Sequence, residues 1–317
     1  MELTNKTILV TGGAGVIGKE LITRLTKLTD NIFCIDRVGK PQQFTHFDHL
    51  CYIQKDLNAM NIRDIIKLEP AVIFHLAATF ERTEETPEFW EENYKDNILA
   101  SHFVLESAKR CPTLERFVFT SSYLVYDQNQ YLFAKPQKNM VKLTESSRIK
   151  TRNLCGASKY YTENELSFLE HVKGFDFNSI SARIFRVYGI QSRDFLSRSI
   201  RAGLRGEPIE LYRKEGLFDY IYAGDVAEGL VYLATANITG PVNLGFGKAQ
   251  TVETAISLIK ENITKLDIVE SERDVQYEAS CSDITLLKKV TCWQPTISLE
   301  EGLKKIIAYE QSALKKR

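Results

Sequence analysis

The chain has 317 residues, 44% of them hydrophobic and 26% charged, enough apolar material for a large core arranged in two lobes. Its 41 Lys and Arg residues match 41 Asp and Glu residues, so bulk charge excludes the basic excess of a nucleic-acid binder. The opening MELTNKTILVTGG has no secretory-signal pattern and no apolar run approaches about 18 residues, which predicts a cytoplasmic chain without a membrane span.

KTILV (6–10) predicts a first strand, and Ile17, Leu21, Leu25 and Leu28 then share one helical face. Between them, VTGGAGVIG places Gly12, Gly15 and Gly18 where a chain turns from strand into helix. Glycines there let the backbone approach a pyrophosphate, and a helix opening at Val16 and Ile17 offers free N–H groups to it. The next strand, NIFCID, ends at Asp36, 18 residues after Gly18. A carboxylate there accepts both ribose hydroxyls of NAD and repels a 2′-phosphate, so NAD is expected over NADP. Arg37, beside it, can reach a 2′-phosphate or stand solvated at the surface. Asp56, ending CYIQKD, and Leu57 directly after it are placed to meet the adenine, with a strand-end cap as the alternative for Asp56. AVIFHLAA (71–78), RFVFTSS (116–122) and a run near 177–185 read as further strands, separated by helical stretches at about 89–110 and 156–172. Such alternation predicts an α/β fold, a Rossmann-type doubly wound parallel sheet.

Beyond Ile184, FLSRSIRAGL, DVAEGLVYLATAN, VETAISLIKENI and SLEEGLKKIIAYEQ read as helices, with strands at PIELY and PVNLGF. They predict a smaller C-terminal α/β substrate lobe over 184–317, against an NAD-binding domain over 1–183, with interleaved boundaries. A ligand belongs in the cleft between them. Cys34, Cys51, Cys111, Cys155, Cys281 and Cys292 lie far apart without metal-ligand spacing; reduced core thiols are expected, and no metal site.

In chain order, TGGAGVIG, DL (56–57), HLAA (75–78), DNILASHFVLESA (96–108), VFTSSYLVY, GASKYYTE, ARIFRVYG, FDYIYAGDVAEGL, GPVNLGFG and CWQPTISLEEGLKK resemble an extended short-chain dehydrogenase/reductase. The type resembled is the NAD-dependent sugar-nucleotide epimerase/dehydratase. That resemblance implies NAD-dependent modification of a nucleotide-activated sugar, or of another anionic polyol, by transient hydride transfer. His75, Leu76, Ala77 and Ala78 would line the nicotinamide ribose, and Asn97 would order the cofactor side. Lys159 would hold the ribose, with Ser122 on the proton path.

The Tyr expected four residues before Lys159 is Cys155. A thiol is acidic enough, but its sulfur sits one bond beyond Cβ and falls short of a sugar hydroxyl in the usual pose. Cys155 is then a direct base, an inert small residue that opens the pocket, or a thiol acting through water or on a displaced substrate. Tyr123, after Ser122, offers a migrated phenol, or a ring stacked on substrate or core. Leu124 stands where dehydratases and decarboxylases of this type carry Glu, which disfavours ordinary 4,6-dehydration and decarboxylation. An epimerase or non-standard dehydratase is expected; a catalytically silent NAD- or nucleotide-binding module and a simple carbonyl reductase are the alternatives.

On the substrate side, Arg186 takes the place of an Asn that faces the diphosphate. It can bind a phosphate or carboxylate, or form an ion pair between lobes. Phe218 replaces a phosphate-binding Arg, and Arg213 is either an anion contact or a surface residue. Asp225 is expected to N-cap the next helix, and Tyr126 to pack. The resemblance further implies a homodimer through helices at 97–110 and 156–171, with Phe103, Val104, Phe168 and Leu169 at the contact.

Overall fold

A computed structural model describes residues 2–80, 85–172, 177–263, 266–271 and 275–315. The first half alternates β1 (Ile8–Thr11), α1 (Val16–Leu25), β2 (Ile32–Asp36), β3 (Leu50–Gln54), α2 (Ile62–Ile66) and β4 (Val72–His75). Then come α3 (Pro87–Asn93), a π-helical stretch (Tyr94–Leu99), α4 (Ala100–Ala108), β5 (Arg116–Ser122), the short β6 (Leu132–Phe133) and β7 (Val141–Leu143), α5 (Leu154–His171) and β8 (Asn178–Ile184). The expected helix over 89–110 is thus interrupted by a π turn, which hydrophobic spacing does not reveal.

The second half contains β9 (Arg186–Tyr188), α6 (Phe195–Arg205), β10 (Ile209–Leu211), β11 (Leu217–Phe218), β12 (Tyr220–Tyr222), α7 (Ala223–Thr235) and β13 (Gly240–Leu244). It ends with β14 (Gln250–Thr251), α8 (Val252–Asn262), β15 (Ile268–Glu270), β16 (Tyr277–Glu278), β17 (Ser280–Ser282), α9 (Thr285–Thr291) and α10 (Leu299–Lys315).

Seven strands form one parallel sheet in the order β13-β8-β5-β4-β1-β2-β3. All four residues of β1 and of β4 are buried, as expected of strands covered on both faces. Alternate residues go to opposite sides: Ile8 and Val10 pack with Leu21, Ile22 and Leu25 of α1, whereas Leu9 packs with Val104, Leu105 and Leu166 of α4 and α5. Each fully buried aliphatic side chain adds about 1.5–3 kcal/mol. Strand order reverses between β1 and β4, so the ligand crevice lies outside their carboxyl ends.

Past Ile184 the chain does not stay in a separate lobe. PVNLGF supplies β13, which pairs in parallel with β8, and α7 puts Val226, Leu230 and Leu233 into the same core as α1. The smaller lobe is built from α6, α8, α10 and β10 around Leu196, Ile200, Ile256, Ile259, Leu303 and Ile306. Asp225 also differs from expectation. The cap position of α7 is Tyr222; Asp225 sits inside the first turn, fully buried, and accepts from Thr296 N at 3.0 Å and Ile297 N at 2.8 Å. It fastens the approach to α10, and burial pushes its carboxyl above the ordinary value.

The expected dimer face divides as well. Val104 is 0% exposed within the subunit's own core, while Phe168 is 77% exposed. Phe103 and Leu169 are half-buried against that core.

Candidate active site

The turn between β1 and α1 is set by close approach. Gly12 has φ +75°, and a Cβ there would lie 2.5 Å from Ala77 N; at Gly18 it would lie 2.4 Å from Gly12 O. Gly15 is exposed and caps α1 without a side-chain hydrogen bond, leaving the first N–H groups of a ten-residue helix, from Val16 and Ile17 onward, for an anion. Asp36 is fixed beside this loop: Oδ2 accepts from Ala14 N at 2.8 Å and Oδ1 from Val38 N at 2.9 Å. A turn that admits no Cβ at Gly12 or Gly18, an uncapped helix start and a carboxylate at the end of β2 fit a dinucleotide's pyrophosphate and ribose.

Around that cradle the other candidates take different places. Leu76 and Ala77 donate to Thr11 O at 3.0 Å and Thr11 Oγ1 at 3.4 Å, and Ala78 is exposed. His75 is a buried core imidazole between Thr11 Oγ1 (2.6 Å) and Ser101 Oγ (3.0 Å); burial, with the Lys159 charge, pushes it down to about 3, so it is neutral. Asp56 caps the turn after β3, accepting from Asn58 N at 2.9 Å, and Leu57 is 6% exposed within the core. Arg37 does not stand free, since its Nη1 donates to Asp96 Oδ2 at 2.6 Å.

The catalytic candidates meet at α5. Asn153 caps it by accepting from Gly156 N at 2.9 Å, and Glu85 accepts from Leu154 N at 2.6 Å. Gly156 lets the helix touch the chain after β5; a Cβ there would lie 2.4 Å from Leu124 O. Cys155, Lys159 and Glu163 follow at four-residue spacing along one face. Cys155 is 5% exposed, its thiol donating to Thr79 O at 3.7 Å while Asn97 Nδ2 approaches the sulfur at 3.9 Å.

Asn97 lies in the π-helical stretch and ties it to the end of β4. It donates to Thr79 O at 3.1 Å and Asn93 Oδ1 at 2.7 Å, and accepts from Thr79 N at 2.8 Å. Lys159 holds Nζ 4.7 Å from the Phe119 ring centroid, in cation–π contact. Burial pushes its ammonium down to about 8, against the pull of Cys155. Ser122, ending the same strand as Phe119, accepts from Leu124 N at 3.2 Å.

Tyr123 is 3% exposed and stacks on Phe185 at 5.0 Å and 19°. The Arg186 guanidinium lies 5.5 Å from the Tyr123 centroid and 5.2 Å from that of Phe218, and Nη2 donates to Glu278 Oε2 at 3.3 Å. The same oxygen accepts from Arg152 Nη1 at 2.7 Å. Burial alone would raise Glu278, but Arg186 and Arg152 hold its carboxyl below the ordinary value. Arg213 ties two segments of the chain together, its Nε donating to Val275 O at 2.6 Å and its Nη1 to Tyr277 OH at 3.0 Å.

Sequence reading missed Arg152, Thr79, Asp96 and Glu278. Their partners are distant along the chain, 92 residues in the case of Arg186 and Glu278, and such pairs leave no local pattern. It also missed the pair that sets α5 against the sheet. Arg183 donates from Nε to Glu163 Oε1 at 3.0 Å and from Nη2 to Oε2 at 2.7 Å, and Ser121 Oγ adds a bond of 2.5 Å to Oε1. Tyr126, fully buried, joins this network by accepting from Arg183 Nη1 at 3.2 Å and donating to Asn243 at 2.6 Å. Among the described residues, no group of three or more His, Cys, Asp or Glu is arranged to hold a metal ion.

A doubly wound sheet with this glycine cradle and a second lobe beside its crevice defines a dinucleotide-binding Rossmann protein. The chain belongs to the NAD dependent epimerase/dehydratase family, whose model matches residues 8–245. It is 28% identical to UDP-glucuronic acid decarboxylase 6 of Arabidopsis thaliana, covering 95% of this chain and 87% of that protein. With UDP-glucuronic acid decarboxylase 4 of the same plant it shares 26% identity over 93% of this chain, and it spans 66% of that relative's length. Among solved structures it is similar to MoeE5 in complex with UDP-glucuronic acid and NAD, at 27% identity and a TM-score of 0.82, covering 97% of this chain and 99% of that one. The UDP-glucuronic acid 4-epimerase from Bacillus cereus, 21% identical with a TM-score of 0.81 over 97% of this chain and 99% of that one, shares the fold.

Proposed function

We propose that the protein modifies a nucleotide-activated sugar by transient hydride transfer, with NAD as its coenzyme, as an epimerase or a non-standard dehydratase. The observation that carries this reading is Lys159, held on the face of α5 that meets β5 while the glycine cradle and Asp36 stand ready at β1 and β2. Gly12, Gly15, Gly18 and the start of α1 would take the pyrophosphate, Asp36 the adenosine ribose, and Lys159 with Asn97 the nicotinamide end. Bound NAD supplies a reversible hydride acceptor, which acidifies C–H bonds beside the oxidised carbon.

The chain must then move the hydroxyl proton without the missing phenol. Cys155 is packed against Thr79 and Asn97, so the proton path is assigned to Ser122 and Lys159, whose ammonium already titrates near 8. Leu124 cannot accept a proton, which distinguishes this site from the pattern expected of ordinary decarboxylation, although relatives are named for that reaction. Arg186 and Ser122 would face the sugar and its anionic group. Exposed Tyr161 and Phe168 on α5 suit a homodimer through α4 and α5. No helix among the described residues is long and apolar enough to cross a membrane, and a cytoplasmic site of action is part of the proposal.

The test incubates the protein with NAD and UDP-, GDP-, CDP- and dTDP-sugars, followed by NMR and absorbance at 340 nm. Conversion without net NADH is the expected result. Net NADH change means a reductase or dehydrogenase, and binding without conversion means a silent module, the reading that the packed Cys155 favours. In the same assay Tyr123→Phe should cost far less than the about 10²–10⁴-fold that loss of a general acid–base group costs; a fall of that size would return the phenol to the proton path.

A further inference from the structure

The rim of the adenosine crevice carries charges that the proposed function does not use. Arg37 follows Asp36 at the end of β2, where a guanidinium is well placed for the 2′-phosphate that distinguishes NADP from NAD. Its Nη1 is instead bonded to Asp96, in a pair whose side chains are 55% and 10% exposed respectively. Asp96 is thus the more buried partner and Arg37 the more exposed one. Asp96 lies in the π-helical stretch, which is itself tied to the turn after Asp56 by Asn58 Nδ2 donating to Lys95 O at 3.3 Å. Asp56 and Glu92 add to the negative field around Arg37, and Asp36 precedes it directly.

Resting on the NAD reading of this crevice, we infer that Asp96 is a coenzyme-selecting residue: it occupies the Arg37 guanidinium, so that a 2′-phosphate finds no free cation beside the ribose. Selection for NAD then has two parts. Asp36 repels the phosphate where the ribose hydroxyls bind, and Asp96 withholds the arginine that would otherwise compensate. A dianionic phosphate that displaced Asp96 from Arg37 would also leave that carboxylate unpaired next to its own charge, in a region where Asp56 and Glu92 already act on Arg37. The adjacent residues Asp36 and Arg37 are ambiguous between the two coenzymes; a residue 59 positions away from Arg37 removes the ambiguity.

Calorimetric titration of the full chain with NAD and with NADP tests this. In Asp96→Asn the ratio of the NADP Kd to the NAD Kd should fall about tenfold, the scale of one additional charge-assisted hydrogen bond, while the NAD Kd stays near its original value. Asp96→Asn/Arg37→Ala should return the ratio to that of the unmodified protein. A ratio that moves less than about twofold in Asp96→Asn, or a shift that survives removal of Arg37, overturns the assignment. Asp96→Ser poses the same question if Asp96→Asn does not fold. The unmodified protein separates the two readings: if it binds no NAD, the proposed function falls and this inference with it, whereas NAD binding with an unmoved ratio overturns the role of Asp96 alone.

Discussion

Replacing Lys159 with methionine lowers kcat by about 10²–10⁴-fold, the range expected when a group that moves a proton is removed. The methionine side chain keeps the apolar stem that packs beside Phe119 and removes only the ammonium. Because burial disfavours that ammonium, its loss leaves the coenzyme-free fold at least as stable, so a fall in turnover cannot be assigned to unfolding. The unmodified enzyme should gain rate as pH rises through about 8, where Lys159 loses its proton, and the variant should lack that rise. The stability consequence has a definite sign. The folded pKa lies below the ordinary lysine value of 10.5, so the unfolded chain binds more protons between about 8 and 10.5 and stability rises with pH across that window. Turnover within about threefold of the original in Lys159→Met, against the losses typical of acid–base groups, would remove Lys159 from the proton path.

Replacing Glu163 with alanine destabilises the protein by about 3–5 kcal/mol, the cost of leaving one charge of a buried pair without its partner. The side chains of Glu163 and Arg183 are 7% and 5% exposed, and both guanidinium branches that meet the carboxylate are committed to it. Arg183 would keep Tyr126 and the Glu145 carbonyl, neither of which carries a compensating charge. Urea unfolding measures the loss; a change below about 1 kcal/mol would place the pair with surface ion pairs in energy. Glu163→Ala/Arg183→Met should recover part of the stability, because the stranded charge leaves with its partner. Glu163 lies one turn beyond Lys159 on α5, so the same substitution loosens the rotation that directs Lys159 toward β5.

Several features were legible because they are local. A glycine turn between an apolar strand and an amphipathic helix needs only a dozen consecutive residues, and Gly12 and Gly18 stand where the structure admits no Cβ. The spacing of Cys155 and Lys159 is likewise fixed by one helical turn. Tyr123 shows what such reading leaves out: its position after Ser122 is local, but its stacking on Phe185, 62 residues later in the chain, is not. Asp225 shows where local reading fails. An acidic residue near a helix start resembles a cap, but the backbone it bonds belongs to Thr296 and Ile297.

By itself the sequence determined the parallel sheet, the coenzyme cradle and the family, since strand and helix periods, turn glycines and one-turn spacings are all written in neighbouring residues. Only the tertiary structure decided that β13 returns to the first sheet, that Arg37 is held by Asp96, that Glu278 joins Arg152 to Arg186, and that Cys155 faces Thr79. Each of these depends on which distant segments are brought within hydrogen-bond or packing distance, and a short-range force leaves no trace in the order of residues that meet only after folding.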